Sequence, residues 1–289
     1  MAILSIQSHV AYGHVGNRSA VFPLELLGFD VWPINTVQFS NHTGYPSWKG
    51  EIYSDRQVEL VWSGIMDRGV AASCDAVLSG YLGDAGVGRA ILSAVADVKA
   101  ANPRALYCCD PVMGDYGPGF YVRPGIPEFL RSYALRAADI VTPNQYEAEI
   151  LTETVISTVE DAKAAARALR GMGPRAVLIT SFKPDGGGSE GGESEGVSMF
   201  LQEGDDSYVV TTPELPFSPA PNGAGDLTAA LFLGHYLRSG EGLAALELMA
   251  DSVYSVLERS WAEKSRELRL VESREAIENP RRRFEARRV

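Results

Sequence analysis

The chain has 289 residues, of which 45% are hydrophobic and 22% are charged, and its formal net charge is −11. This composition excludes a wholly disordered or fibrous protein, and no apolar run approaches the ~18 residues that a membrane helix requires. The acidic balance counts against a general nucleic-acid-binding protein, because such proteins are usually basic. Three cysteines without a CxxC motif form no disulfide framework, which predicts a reducing, cytoplasmic location.

Short apolar runs alternate with amphipathic stretches along most of the chain. In chain order the pattern predicts strand 2–6, helix 17–27, strand 31–37, helix 55–68, strand 76–81, helix 85–100, strands 105–109 and 139–142, helices 146–151 and 159–170, strands 176–180, 197–201 and 208–211, and helices 222–237 and 243–260. Asn17 is a candidate N-cap, and Pro23 should kink or limit the first helix. This alternation indicates a mostly parallel sheet with helices on both faces, ending in a pair of neighbouring strands that could be antiparallel.

The domain organisation follows from what the sequence lacks. No Pro/Gly linker or internal repeat divides the chain, so we predict one three-layer α/β domain over residues 1–289. The Gly/Ser/Glu-rich segment 185–196 has no apolar residue to bury and is predicted to be a mobile surface loop. Its GxGxxG match at 186–191 is attributed to chance because no helix follows it. The tail 281–289 holds five arginines and is predicted to be a solvated terminus rather than a nucleic-acid arm.

Polar residues follow each predicted strand, at the edge of an α/β sheet where ligands bind. Each group alone is explained by turn or capping chemistry, whereas six groups at one edge favour a shared site. These groups are residues 7–9, 41–43, 80–81, 110, 142–144 and 180–181.

The sharpest local motif is Asn-Gly-Ala-Gly-Asp-Leu at 222–227, which opens a long apolar helix. Its glycines allow close approach of the backbone to a ligand, and the helix N-terminus can hold an anion. Asp226 has two interpretations that the motif does not separate. It either complements the helix dipole, or it acts as a base that accepts a proton from an attacking hydroxyl.

A second motif, Asp-Pro-Val-Met-Gly-Asp at 110–115, follows a predicted buried strand. Its two carboxylates could hold Mg²⁺ and phosphate oxygens, with Thr142, Asn144 and Glu147 completing the shell. The alternative is a pair of turn-forming aspartates followed by a helix start. No Walker A motif or protein-kinase motif set occurs, so a kinase of either of those types is excluded.

These motifs, together with segment 142–151, resemble the ribokinase-like superfamily and its vitamin-kinase branch. Within that branch the chain is similar to the pyridoxal kinase family, over about residues 3–260. The segment Val-Gln-Phe-Ser-Asn-His-Thr-Gly-Tyr at 37–45 is the most specific part, because other superfamily members do not carry it. Further matching segments lie at 5–10, 13–17, 48–50 and 78–81.

The resemblance implies a three-layer ribokinase-like fold and ATP-dependent phosphorylation of the 5′-hydroxyl of pyridoxal in vitamin B6 salvage, with pyridoxine and pyridoxamine as further substrates. Asp226 would be the catalytic base, and Gly223, Ala224 and Gly225 would form the anion hole. Segment 116–122 would be a lid. The implied substrate-binding residues are Ser8, His42, Thr43, Tyr81, Tyr121 and Asp226.

The resemblance also implies the nucleotide side of the site, a Mg²⁺ ion, a monovalent cation such as K⁺, and a homodimer with one complete site per subunit. Pyridoxal and ATP are the expected partners, with no nucleic acid and no membrane. The implied metal-linked residues are Asp115, Thr142 and Glu147. The implied ATP-binding residues are Asp110, Asn144, Glu147, Thr180, Ser181, Asn222, Gly223 and Gly225.

Two alternatives remain at the level of the sequence. One is a kinase of the same fold that acts on hydroxymethylpyrimidine, against which the segment 37–45 and the lack of a cysteine near the anion hole both count. The other is a carrier that binds the vitamin without chemistry, against which the intact Asp226, Asp110 and Asp115 count. Some bacterial family members carry a lysine near the position of Thr180, so the chain departs from them there.

Overall fold

A computed structural model describes residues 1–183 and 196–289. The strands are β1 (Ala2–Val10), β2 (Asp30–Phe39), β3 (Gly50–Ile52), β4 (Cys74–Ser79), β5 (Leu106–Cys109), β6 (Gly114–Asp115), β7 (Gly119–Phe120), β8 (Ile140–Val141), β9 (Ala176–Phe182), β10 (Gly196–Glu203), β11 (Asp206–Pro213) and β12 (Arg287–Arg288). The helices are α1 (Asn17–Leu26), α2 (Asp55–Met66), α3 (Ala85–Ala101), α4 (Ile126–Phe129), α5 (Leu135–Ala137), α6 (Gln145–Thr152), α7 (Val159–Met172), α8 (Ala224–Ser239), α9 (Gly242–Ala262) and α10 (Arg274–Glu278).

One sheet of ten strands runs through the molecule in the order β12-β11-β10-β9-β8-β5-β4-β1-β2-β3. The six strands from β9 to β2 in this order are parallel, whereas β3 at one edge and β10, β11 and β12 at the other are antiparallel to their neighbours. The mostly parallel sheet predicted from the strand–helix alternation is therefore confirmed, as is the antiparallel pair β10–β11. Six parallel strands place their carboxyl ends at one edge, where ligands bind.

The sheet is buried on both faces because its strands carry apolar residues on alternate sides. On β1, Leu4 and Ile6 belong to a core with α2, α3, α4, α5, α6 and α7, whereas Ile3 faces a second core with α1, α8, α9 and α10. All three side chains are fully buried. The sequences of parallel strands that are covered on both faces are nearly continuous apolar runs. These strands could therefore be recognised in the sequence.

The first helix differs from its prediction in one respect. Gly16, and not Asn17, occupies the N-cap position of α1. The side chain of Asn17 is buried and forms hydrogen bonds to β1 and β2 instead. It accepts from the Ser5 hydroxyl at 2.8 Å and donates to the Asn35 side chain at 2.9 Å. The capping prediction was wrong because these tertiary contacts compete for the same amide. Pro23 lies inside α1, which ends three residues later, as the limiting effect of proline predicts.

The basic tail is a second correction. Arg283 pairs with the buried Asp251 of α9 at 2.5 Å, and the Arg281 amide donates to the same carboxylate. Arg287 and Arg288 then form β12 on the edge strand β11. The tail is therefore docked and not freely solvated, because a buried carboxylate on α9 supplied a partner that composition alone does not reveal.

Several short elements had no prediction, namely β3, the hairpin β6–β7, the helical segment 126–137 and α10. Of the predicted mobile loop, positions 185–195 lie outside the described residues, and Gly196 begins β10. Among the helices that the structure describes, none is both long and apolar enough to span a membrane.

Candidate active site

Two cavities meet at the N-terminus of α8, at the carboxyl edge of the parallel strands. We call them the β2-side cavity, of about 340 Å³, and the β11-side cavity, of about 290 Å³. Gly223 and Asp226 line the first, and Ala224 and Gly225 line the second. The β2-side cavity is further lined by Ser8, Val10, Val15, Val37, Phe39, His42, Thr43, Gly44, Tyr81, Val112, Asp115, Pro118, Tyr121 and Asn222.

The wall between the cavities depends on Gly223, which caps α8 in the left-handed conformation with φ of 90°. A Cβ atom at this position would lie 1.9 Å from the carbonyl oxygen of His14, so a larger residue does not fit. The Ser19 hydroxyl donates to the Gly223 carbonyl at 2.9 Å and fixes the turn. The amides at the start of a helix have no partner within the helix, so those of residues 223–225 can hold an anion between the cavities.

Asp226 is the third residue of α8 and points its carboxylate into the β2-side cavity. Burial raises the pKa of this carboxyl to about 6, although a hydrogen bond from the Gly16 backbone opposes the rise. A carboxylate with a pKa near neutrality beside an anion site can accept a proton from a bound hydroxyl. The position of Asp226, in the first turn of α8 and at the cavity, fits both of its interpretations.

A buried acidic group lies behind the helix start. Asp110 and Glu147 are 4% and 3% exposed, and the Thr142 hydroxyl donates to Asp110 at 3.1 Å. Burial raises the pKa of Asp110 well above its ordinary value, and the negative charges of Glu147 and Asp226 raise it further. Among the described residues no Lys, Arg or His forms an ion pair with any of these three carboxylates. The cluster is thus suited to a bound cation.

Glu147 and Asn144 also organise the loop that carries Asp110 and Asp115. The Glu147 carboxylate accepts from the Met113 amide and from the Asn144 amide, both at 2.9 Å. The Asn144 side chain accepts from the Glu147 amide and donates to the Gly114 carbonyl, which completes a capping box at α6. Burial raises the pKa of Glu147 to about 8, while these amides oppose the rise. The pair therefore has a structural task at the loop and helix start.

The oxygen-rich donor set of Asp110, Thr142 and Glu147 fits a hard divalent cation such as Mg²⁺. Within residues 1–183 and 196–289, however, no three His, Cys, Asp or Glu side chains converge as a complete metal site. A divalent ion here would therefore keep water and phosphate oxygens among its ligands, as Mg²⁺ usually does. Asp115, the remaining predicted metal-linked residue, lines the β2-side cavity.

The residues predicted to bind substrate all come together. Each of the six, Ser8, His42, Thr43, Tyr81, Tyr121 and Asp226, lines the β2-side cavity. They arrive from β1, from the loop after β2, from the loop after β4, from the residue after β7, and from α8. The cavity combines apolar walls with a few placed polar groups, which is typical of a site for a small organic molecule.

Tyr121 reaches the cavity from the segment predicted as a lid. That segment contains the turn and the second strand, β7, of the hairpin β6–β7, and the Tyr121 amide donates to the Met113 carbonyl at 3.1 Å. Tyr146 of α6 supports the hairpin through edge-on contacts with Tyr116 and Phe120, at ring-centroid distances of 5.5 and 5.8 Å. The hairpin thus lies over the cavity mouth and rests on α6.

The β11-side cavity holds Thr180, Ser181, Ala224 and Gly225, and its other lining residues belong to no motif. Thr180 donates its amide to the Pro143 carbonyl at 2.8 Å, and Ser181 adopts a left-handed φ of 54°. Asn222, predicted on the nucleotide side, lines the β2-side cavity instead of this one. The further lining residues are Val197, Met199, Thr212, Pro213, Glu214, Leu215, Phe217, Ala220, Pro221, Thr228, Val253, Tyr254 and Leu257.

Comparison with known proteins identifies the class and then the family. A model of the phosphomethylpyrimidine kinase family matches residues 64–264. This match, the fold and the glycine-rich helix start together define a ribokinase-like kinase.

The relatives are more specific. A pyridoxal kinase PdxY of Rubrobacter xylanophilus is 53% identical over 288 residues, covering 99% of this chain and 97% of the relative. Another, of Leifsonia xyli, is 48% identical and covers 100% of both chains. The solved pyridoxal kinase from Leishmania donovani in complex with ADP and pyridoxamine has a TM-score of 0.91 at 29% identity, covering 100% of this chain and 99% of that one. The chain belongs to the pyridoxal kinase family, and the resemblance seen in the sequence is confirmed.

Proposed function

We propose that this chain transfers the γ-phosphoryl group of ATP to the 5′-hydroxyl of pyridoxal, and also of pyridoxine and pyridoxamine, in vitamin B6 salvage. The product from pyridoxal is pyridoxal 5′-phosphate, and the other two vitamers give their own 5′-phosphates. The observation that carries the proposal is the meeting of two cavities at one glycine-rich helix start, with Asp226 on one side of it. Two substrates that react with each other need adjacent sites and one shared anion-binding point between them.

The β2-side cavity is the proposed vitamin site. Ser8 and Thr43 hydrogen-bond the substituents of the pyridine ring, Tyr81 packs on the ring, and His42 and Tyr121 complete the wall. Burial raises the pKa of the Tyr81 phenol, so this side chain stays neutral. Asp226 then faces the hydroxymethyl group and accepts its proton as the oxygen attacks the phosphoryl group.

The β11-side cavity is the proposed nucleotide site. Its apolar side chains, among them Met199, Leu215 and Phe217, suit the flat face of an adenine ring. Thr180 and Ser181 supply polar contacts, and Gly225 lines the same cavity at the start of α8. The γ-phosphoryl group is thereby placed on the amides of residues 223–225, next to Asp226 across the shared wall.

Mg²⁺ is the proposed divalent ion, and a monovalent cation such as K⁺ is the proposed second ion. Asp110, Thr142 and Glu147 would hold Mg²⁺ together with phosphate oxygens, and Asp115 and Thr142 are the candidates for contact with the monovalent cation. Bound Mg²⁺ neutralises negative charge on the phosphates. Asn144 supports this region through its contacts with Glu147 and Gly114.

The hairpin β6–β7 excludes water from the site when both substrates are bound. We also propose a cytoplasmic homodimer with a complete site in each subunit.

The test is a substrate panel with Mg–ATP, a potassium salt and each of pyridoxal, pyridoxine, pyridoxamine and hydroxymethylpyrimidine. Turnover of every substrate is followed by the release of ADP, and pyridoxal 5′-phosphate is followed in addition by its absorbance. The Asp226→Asn variant is assayed alongside, with Asp205→Asn as a surface control. We expect the three vitamers to be phosphorylated, and Asp226→Asn to lower kcat by about 10²–10⁴ while pyridoxal binding is kept.

Other outcomes have definite meanings. Turnover of hydroxymethylpyrimidine in place of the vitamers would show that the chain is a kinase of the same fold with a different substrate. Tight pyridoxal binding without ATP consumption would indicate a carrier. Unchanged turnover in Asp226→Asn would remove the assigned base.

A further inference from the structure

A carboxylate near the C-terminus bonds to the loop that lines the vitamin side of the site. Glu267 follows α9 in sequence, yet it lies against residues more than 200 positions earlier in the chain. Its Oε1 atom is 3.1 Å from His42 Nε2 and accepts from the Tyr45 hydroxyl at 2.7 Å. Its Oε2 atom accepts from the His14 amide at 3.2 Å. One side chain thus joins two loops on the β2 side of the cavity.

The surroundings of Glu267 keep it in its charged, accepting form. The residue is 8% exposed. Burial alone would raise the pKa of its carboxyl, but hydrogen bonds from His42 and Tyr45 bring the pKa below its ordinary value. The neighbouring Arg266 donates to the Gly44 carbonyl at 2.7 Å, and its guanidinium lies 4.1 Å from the centre of the Tyr45 ring. The segment 266–267 therefore contacts the loop at several points.

These contacts also fix the orientation of His42. The Gly44 amide donates to His42 Nδ1 at 3.2 Å, so this nitrogen is the acceptor of the ring. The neutral ring then carries its hydrogen on Nε2 and donates it to Glu267. His42 is 5% exposed and lines the cavity, so the direction of its ring is set by a residue that lies outside the cavity lining.

Glu267 and the loop 41–45 are closely packed against their neighbours. A Cβ atom on Gly13 would lie 2.3 Å from Glu267 Oε2, and one on Gly44 would lie 2.7 Å from the Asn222 side chain. A side chain at Gly13 or at Gly44 would therefore displace these neighbours. Thr43, which lines the cavity, stands between His42 and Gly44, so contacts that hold these two residues also restrict Thr43.

We infer that Glu267 is a positioning residue for the vitamin, which holds the loop 41–45 so that His42 and Thr43 face the pyridine ring. The inference rests on the proposed function. Because Glu267 does not line the β11-side cavity, its loss should affect the vitamin and not the nucleotide. This selectivity separates a positioning role from a purely structural one, which would weaken both substrates together.

The experiment compares Glu267→Ala, Glu267→Gln and Tyr45→Phe in the full-length protein. The control is Glu272→Gln, which alters a surface carboxylate of the same segment that lies 3.8 Å from Arg269. We expect Glu267→Ala to raise KM for pyridoxal about tenfold, with KM for ATP within about twofold, since the loop 41–45 loses its hydrogen bonds to a charged group. Gln keeps one acceptor and should recover part of the loss, and Tyr45→Phe should raise KM for pyridoxal by less than Glu267→Ala does.

A double variant sharpens the result. The effects of Glu267→Ala and Tyr45→Phe should not add, because both remove the same hydrogen bond. If Glu267→Ala does not fold, the Gln and Tyr45→Phe variants carry the same comparison. Direct titration of pyridoxal provides a second readout that does not need turnover.

The inference is overturned if KM for pyridoxal stays within twofold of wild type in all variants, or if KM for ATP rises by the same factor. These outcomes require an active wild type, so they leave the proposed function standing. A wild type that neither binds nor phosphorylates any vitamer would overturn the function and the inference together.

Discussion

The polar side chains of the β2-side cavity come from loops and element ends that are far apart in sequence, whereas the β11-side cavity takes much of its wall from the neighbouring strands β9, β10 and β11 and from α8 and α9. Ser8, His42, Thr43 and Asp226 line the former, and His42 is fixed by further hydrogen bonds outside the lining. In the latter, Met199 and Val253 are shared with the hydrophobic core around α8 and α9. Under the proposed function, we expect placed hydrogen bonds to select the vitamin and the wall of the β11-side cavity to hold the nucleotide base by its shape.

The largest effect should come from a change at Gly223, in the helix start that both cavities share. Gly223→Ala places a methyl group where the His14 carbonyl lies and forces a left-handed φ on a residue with a side chain. The displaced amides should lower kcat by about 10²–10³, with both substrates affected, because an anion-hole donor contributes that much. Steady-state kinetics against each substrate measures this.

The matched control is Gly240→Ala at the other end of the same helix. Gly240 has a similar φ of 74°, and a Cβ atom there meets nothing within 4 Å. It should lose about 1–2 kcal/mol of stability from left-handed strain but keep its activity. Equal loss of activity in the two variants would show that strain in α8, and not the wall at Gly223, limits the reaction.

One acid limb in the pH dependence of the reaction should come from Asp226. Asp226 must be ionised to accept a proton, and its pKa is raised to about 6. Below that pH, kcat/KM for pyridoxal should fall about tenfold per pH unit, and above it the profile should level off. The Asp226→Asn variant should lose this acid limb. An acid limb of unchanged size in Asp226→Asn would contradict the assignment and would belong instead to Asp110 and Glu147, whose pKa values burial also raises.

The sequence predicted the fold well where strands are buried on both faces. The parallel core from β9 to β2 and the long helices α3, α8 and α9 agree with their predicted positions to within a few residues. Short edge elements such as β3 and β12 were missed, since two or three residues give no periodic pattern. The docking of the tail on Asp251 was missed because it depends on an ion pair across the fold.

The two sides of the site also differed in how far the sequence revealed them. The six predicted vitamin-side residues gather in one cavity because their motifs follow strand ends, where parallel strands converge. The apolar lining of the other cavity, including Phe217 and Tyr254, has no signal that separates it from core residues. Glu267 gave no signal either, because its contacts join segments that are far apart in sequence. Such residues become visible only when the chain is folded.

A paired substitution gives the smallest and most selective effects. Thr43 lines only the β2-side cavity and Phe217 only the β11-side cavity. Thr43→Val keeps the shape but loses the hydroxyl, and should raise KM for pyridoxal about two- to tenfold with KM for ATP unchanged. Phe217→Ala should raise KM for ATP by a similar factor with KM for pyridoxal unchanged, since an aromatic contact contributes about 0.5–1.5 kcal/mol beyond its buried area. Both constants are measured for both variants. If either variant raises both constants equally, the cavities do not select their ligands independently, and the shared helix start transmits changes from one side to the other.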